Sequence, residues 1–170
     1  MRGCVQVYTG DGKGKTTAAV GLSVRAVGAG LRVFFAQFIK TRESSEFAAL
    51  ASLGGHFCLR RFGRGFIRGT PSQDDIMAAQ AGLLEAKGAM LSNSYDIVVL
   101  DEINVAVSLG LLLSEEIVQL IKDRPECVEL ILTGRGAPED IIAAADLVTE
   151  LREIKHYYHK GIKAREGIEY

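Results

Sequence analysis

Gly10, Gly12, Gly14, Lys15, Thr16 and Thr17 fall close together, directly after the apolar run at 4–7 and before the Ala-rich stretch that begins at Ala18. This grouping suits a polyphosphate. Dense negative charge needs glycines that turn freely, backbone N–H groups aimed inward and a helix N-terminus behind them. Lys15 is placed to lie along the phosphate oxygens and the Thr16 hydroxyl to complete a Mg²⁺ shell, the roles of G-K-[ST] in a phosphate-binding loop. Counting back from Gly14-Lys15-Thr16, the first glycine of G-x-x-x-x-G-K-[ST] belongs at position 9, where Thr9 stands, and Gly10 comes one place late. That offset points to a specialised loop. A plain glycine-rich turn is the competing reading, but it gives no use to Lys13, Lys15, Thr16 and Thr17 together at a helix start.

A phosphate loop of this kind needs a second strand that ends in an acid. Ile97-Val98-Val99-Leu100 is apolar throughout and runs into Asp101-Glu102. Such a run reads as a buried parallel strand with both carboxylates at its carboxyl end, where ligands sit in open α/β sheets. The two acids either hold Mg²⁺, directly or through water, or cap the segment that follows.

The elements that must position these groups alternate along the chain. A strand at 4–7 feeds the loop, and residues 16–27 read as a helix closed by Gly28-Ala29-Gly30. A strand at 31–38, a helix at 43–53 and a short strand at 57–59 follow. Thr70-Pro71-Ser72-Gln73-Asp74-Asp75 opens a long helix to Leu91, with acids in its first turn as the helix dipole favours. After the Asp101 strand, Ser114-Glu115-Glu116 starts a helix ending near Arg124-Pro125. A strand at 128–132, a helix from Pro138-Glu139-Asp140 and a strand at 147–151 complete the pattern. Alternation of this kind predicts an α/β fold: a mostly parallel sheet with helices on both faces and right-handed crossovers.

At 170 residues and 48% hydrophobic, the chain suits one domain spanning 1–170 with a substantial core. A net charge of −1 supplies no general pull toward nucleic acid or anionic membrane, so a small-molecule partner is expected. Cys4, Cys58 and Cys127 are widely spaced and form no CxxC pair, which predicts reduced, buried thiols. The start lacks a basic segment followed by an apolar one, and no apolar run is long enough to span a bilayer, so a cytoplasmic protein is expected.

Thr9 to Ala19, Val33 to Lys40, Val98 to Asn104, Leu132-Thr133-Gly134-Arg135-Gly136 and Glu150 to Tyr170, with Lys155-His156 and Gly161-Ile162-Lys163-Ala164, together resemble the P-loop type of ATP:corrinoid adenosyltransferase. The resemblance spans nearly the whole chain, in the family's order, and includes the offset first glycine. It implies a P-loop fold of RecA-like type and transfer of the 5′-deoxyadenosyl group of ATP to Co(I) of a corrinoid. Triphosphate is released and adenosylcobalamin or a precursor is formed. It also implies that ATP lies reversed relative to other P-loop proteins, with the α-phosphate where a γ-phosphate usually sits. By motif match, Gly10, Asp11, Gly12, Lys13, Gly14, Lys15, Thr16 and Thr17 go to the phosphates, Thr16 and Glu102 to Mg²⁺ with Asp101 supporting, and Arg25 and Arg135 to nucleotide contacts. A flavoprotein reductant and a homodimer follow from the same resemblance. The other classes left open by a phosphate loop are an ATPase or kinase that releases ADP and an ATP-sensing regulator without turnover.

Two segments need separate weighing. Arg60-Arg61-Phe62-Gly63-Arg64-Gly65-Phe66-Ile67-Arg68 interleaves arginines with phenylalanines, which suits RNA, a solvated loop, or the corrinoid side of the reaction. In the family an aromatic here excludes the lower axial ligand so that Co(II) is easier to reduce, and Phe66 matches it. Arg68 stands where the family carries a tryptophan. His156 and His159, three apart, have a spacing that could bind metal on a helix, but the sequence offers no further ligands. The expectation for 155–170 is an ordered arm near the active site. Longer relatives carry an N-terminal helical extension that covers the site. The first strand here begins almost at residue 1, so looser access or another covering segment is expected.

Overall fold

The structure, a computed structural model, describes residues 2–39, 45–51, 54–65, 67 and 69–169. Strands β1 (Val5–Thr9), β2 (Val33–Gln37), β3 (Phe57–Arg61), β4 (Ile97–Asp101), β5 (Glu129–Thr133) and β6 (Leu147–Glu150) form one sheet in the order β3-β2-β4-β5-β1-β6. All of the neighbouring pairs are parallel. Helices α1 (Lys15–Gly28), α2 (Ser45–Ala51), α3 (Gln73–Leu91), α4 (Ile103–Ser108), α5 (Ser114–Asp123) and α6 (Glu139–Ala144) connect them.

The edge strand β6 is exposed along its length, whereas the central strands β2, β4 and β5 read as nearly continuous apolar runs because both faces of the sheet are covered there. Their side chains alternate between two cores. Val5, Val7, Phe34, Ala36, Val98, Leu100, Leu130 and Leu132 join Ala79, Ala86 and Met90 of α3, Ile103 and Ala106 of α4, Ile117 and Leu120 of α5 and Ile141 of α6. Val33, Phe35, Ile97, Val99 and Ile131 point the other way, onto Ala19 and Ala26 of α1 and Phe47 and Leu50 of α2. A one-residue slip of any central strand would exchange these sets, so the register is strongly specified.

The expected elements are present with shifted ends. The strand expected at 57–59 extends to Arg61, and the helix expected at 43–53 is described over Ser45–Ala51, with positions 43, 44, 52 and 53 outside the described residues. The helix expected from 70–75 starts there, and Ser72 caps it with a reciprocal Asp75 contact. Helix α4 carries no helical signal: Ile103, Val105 and Val107 alternate with Asn104, Ala106 and Ser108, a period of two. Burial of Ile103 and Ala106 against the sheet overrides that pattern.

The expectation of buried thiols is corrected. All three cysteines are free, but Cys4 and Cys127 are exposed and Cys58 is half-buried. Cys4 precedes β1, Cys127 lies in the turn before β5, and Cys58 sits on the edge strand β3, which has no neighbouring strand on one side among the described residues.

Candidate active site

The sheet order puts the carboxyl ends of β1, β5 and β4 side by side. The phosphate loop follows β1, and Asp101 closes β4, one strand further on. β5 lies between them, and its last residue, Thr133, bridges the gap. Thr133 Oγ1 donates to Asp101 Oδ1 at 2.7 Å and accepts the Glu102 N–H at 3.0 Å. Thr16 Oγ1 donates to the same carboxylate oxygen at 2.9 Å, and Gln37 Nε2, at the end of β2, donates to Oδ2 at 3.2 Å. Asp101 is fully buried and therefore accepts from three fixed donors.

Glu102 is the residue that turns out of the strand. Its φ of 62° is left-handed, a conformation that costs a non-glycine residue about 1 kcal/mol. This bend takes Glu102 from the line of β4 to the wall of the cleft, where it lies across from the phosphate loop. Strain held by a bond to Thr133 at a cleft-lining carboxylate is the kind that functional sites retain.

The loop itself is shaped by its contact with the chain that leaves β6. Gly12 N–H donates to Leu151 O at 2.6 Å, and Leu151 N–H to Thr9 O at 2.8 Å. A Cβ on Gly12 would come within 2.7 Å of Leu151 O, so any side chain there meets backbone. Gly10 combines the same obstruction with a φ of +90°. Gly14, with φ of 121°, is the N-cap of α1, and the first N–H groups of that helix have no partner within it. Lys15 is buried and its Nζ folds back onto Gly10 O at 2.5 Å and Gly12 O at 2.8 Å. Desolvation, then the nearby Arg135, lowers its pKa below the ordinary lysine value, against the pull of Glu102, Asp11 and Asp101.

These groups line a cleft of about 600 Å³ bounded by residues 12–17, Glu46, Glu102, Arg135, His156 and residues 167–169. Of the residues singled out in the sequence, Gly12, Lys13, Gly14, Lys15, Thr16, Thr17, Glu102 and Arg135 thus come together, with Asp101 behind Thr16. Gly10 and Asp11 complete the loop. Arg25 does not join them: it lies exposed in the last turn of α1, roughly 15 Å along the helix from Lys15. Phe66 and Arg68 lie outside the described residues.

The arginine-rich segment is more occupied than its sequence suggests. Arg60 pairs with Glu85 at 2.8 Å and Arg64 with Asp74 at 2.5 Å, both on α3. Phe62 packs on Phe38 with ring centroids 5.8 Å apart and fills the notch left by Gly82. Gly63 lies against the Ile39 backbone. In the tail, His156 Nδ1 accepts the Tyr158 N–H at 3.0 Å and His159 Nε2 meets Glu153 at 2.6 Å, so the two rings face different partners. The described residues contain no cluster of three or more metal-ligating side chains.

The family described as ATP:corrinoid adenosyltransferase BtuR/CobO/CobP matches residues 1–170. The chain belongs to that family. It is 42% identical to the corrinoid adenosyltransferase of Escherichia coli (strain K12), over 99% of this chain and 86% of that protein. It is 40% identical to corrinoid adenosyltransferase CobA of Salmonella typhimurium, with the same shares covered, and 37% identical to the Pseudomonas aeruginosa enzyme of that name, over 99% and 84%. The flagellar accessory protein FlaH of Methanocaldococcus jannaschii superposes with a TM-score of 0.58 at 12% identity, covering 88% of this chain and 71% of that one, a likeness of fold.

Family membership does not by itself pick out the residues that hold the site together. Thr133 and Gln37 are buried polar groups at the carboxyl ends of otherwise apolar strands, a signal readable in Leu130-Ile131-Leu132-Thr133 and Phe34-Phe35-Ala36-Gln37. Asn104, fully buried with its Oδ1 unpartnered among the described residues, is less legible because its helix is cryptic. No helix among the described residues is long and apolar enough to cross a membrane.

Proposed function

We infer that this protein transfers the 5′-deoxyadenosyl group of ATP to the cobalt of a reduced corrinoid, in cobalamin synthesis or salvage. The observation that carries the reading is the family's offset phosphate loop, folded against Leu151 with Lys15, Thr16, Asp101 and Glu102 gathered at one end of the sheet. In the reaction the Co(I) electron pair attacks C5′ of the ribose, the C5′–O5′ bond breaks, and triphosphate leaves with the bonding pair. Charge therefore grows on the 5′ oxygen. A cation fixed nearby before the reaction stabilises that charge without having to reorganise. Lys15, already desolvated and aimed into the loop, is proposed for that role. Its bonds to the Gly10 and Gly12 carbonyls are exchanged for phosphate oxygens when ATP binds.

The donor set fits a magnesium ion. Thr16 hydroxyl, Asp101 and Glu102 are hard oxygen ligands adjacent to the phosphate loop. Thr16 and Glu102 would hold the ion, with Asp101 fixing Thr16, and the ion would neutralise triphosphate charge. Gly10, Asp11, Gly12, Gly14 and Thr17 are proposed to enclose the phosphates through backbone N–H groups, with Arg135 beside them. Phe66 is proposed to stand against the corrinoid. A flavoprotein as the source of electrons and assembly as a homodimer are proposed on the resemblance alone; a single domain over 1–170 is proposed on length and composition, and residence in the cytoplasm is proposed with it.

Incubation of the pure protein with ATP, Mg²⁺ and chemically reduced corrinoid tests the assignment. Triphosphate together with a Co–C bonded adenosylcorrinoid is the expected product pair. ADP, or a phosphorylated acceptor, would replace this reading by a kinase or ATPase.

A further inference from the structure

Lys13 behaves unlike its neighbours in the loop. An ammonium has three N–H donors. Lys13 Nζ reaches Tyr157 Oη at 2.9 Å, Ile168 O at 2.9 Å and Glu169 Oε1 at 2.7 Å. All three acceptors belong to the C-terminal arm, so in this arrangement no donor remains for a nucleotide. The acceptors are themselves tied together. Glu169 also bonds the Tyr157 hydroxyl and takes the Arg165 backbone N–H at 2.7 Å and its guanidinium at 3.3 Å. The Arg165 guanidinium stacks 5.0 Å from the Tyr157 ring centroid. Glu169 is held well below the usual carboxylate range by Lys13 first, then by Tyr157 and Arg165.

The rest of the arm has little to hold it in place. From Tyr158 to Gly167 its residues are exposed, and among the described residues the hydrogen bonds joining 157–169 to the phosphate loop all start from Lys13. Yet His156, Gly167, Ile168 and Glu169 form one wall of the nucleotide cleft. The part of that wall formed by Ile168 and Glu169 is thus joined to the loop through a single ammonium.

We propose that Lys13 is the tether of the C-terminal arm and not a phosphate ligand, with Glu169 as its positioning partner, and that the tethered arm completes the ATP-binding cleft. The proposal rests on the reading of this cleft as the ATP site. It assigns the two lysines of the loop to separate work: Lys15 faces the triphosphate and Lys13 faces the arm.

The test uses the full-length chain as wild type, Lys13→Ala, Glu169→Ala and the double variant. Two quantities are followed: the rate of tryptic cleavage at Lys155, Lys160, Lys163 and Arg165, located by mass spectrometry, and ATP affinity by titration. The pair lies outside the sheet, so the variants should melt within about 2 °C of wild type, and cleavage then reports the arm. Each single variant is expected to be cleaved roughly fivefold faster or more and to bind ATP more weakly by a similar factor, with kcat at saturating ATP within about threefold of wild type. The double variant should be no worse than the weaker single one, because either change alone frees the arm. Losses that multiply in the double variant, or Glu169→Ala cleaved as slowly as wild type, would overturn the proposal. A wild-type chain that binds ATP but forms no adenosylcorrinoid would instead sink the reaction assignment and leave the tether test standing.

Discussion

Gly12→Ala probes the phosphate loop through a contact that no side-chain motion can relieve. The added methyl would lie 2.7 Å from Leu151 O and 2.8 Å from both Leu151 C and Arg152 C, all backbone atoms. Either the loop or the strand exit at 151–152 must move. Overpacking of this kind costs roughly 1–3 kcal/mol. Movement also lengthens the 2.6 Å bond from Gly12 N–H to Leu151 O, whose loss adds about 1 kcal/mol. The combined effect, roughly 2–4 kcal/mol, should lower the melting temperature by roughly 5–15 °C in a domain of this size. ATP affinity should fall by about tenfold or more, since 1.4 kcal/mol of loop distortion suffices for that. Gly21→Ala is the matched control. It sits in α1 with nothing within 4 Å of its would-be Cβ, so the same substitution there should raise stability by about 0.5–1 kcal/mol. Thermal unfolding and nucleotide titration of the two variants together decide the matter. If Gly12→Ala melts within about 1 °C of wild type and binds ATP within about twofold, the Leu151 segment does not shape the loop.

Lys15→Ala should reduce turnover by roughly a hundredfold at saturating ATP, the usual loss for one transition-state charge contact, and a steady-state rate within about threefold of wild type would remove Lys15 from the mechanism. Because burial depresses its pKa, Lys15 loses its proton at a lower pH than an ordinary lysine. Its charge is present below the lowered value and is lost as pH rises through it, so ATP affinity should weaken on the alkaline side before the ordinary lysine range of about 10.4 is reached. An affinity flat through that range speaks against the role. Glu102→Gln should raise the Mg²⁺ concentration needed for half-maximal rate without unfolding the chain, and an unchanged Mg²⁺ titration would leave the carboxylate with a structural part only. Phe66→Ala should impair adenosylation when Co(II) must be reduced on the enzyme while sparing activity with prereduced Co(I), and equal losses in the two assays would place that ring elsewhere.

Much of the architecture is legible in local chemistry. Glycines at 10, 12 and 14 before Lys15, four apolar residues before Asp101 and the regular return of strand and helix patterns state a phosphate loop, an acidic strand end and a parallel sheet. Each depends on interactions within a few residues, where composition and period carry the physical constraint. The sequence also contains the family's offset loop, because that feature is a spacing.

Only the tertiary structure decides the partners of those groups. The order β4-β5-β1 places Thr133 between the loop and Asp101, a juxtaposition of positions 16, 101 and 133 that no local pattern encodes. Burial removes Cys4 and Cys127 from the expected core because they stand at strand approaches, and it makes a helix of 103–108 against its period of two. Arg25, equivalent to Arg135 as a cation in the sequence, is carried to the far end of α1 by ten residues of helical rise. The tail supplies the clearest case. Lys13 and Glu169 lie at opposite ends of the chain, and their meeting follows from β6 pairing with β1, which delivers Leu151 onto Gly12 and sends the arm back across the loop. A contact of that range depends on sheet topology, so it becomes visible only once the strands have been ordered.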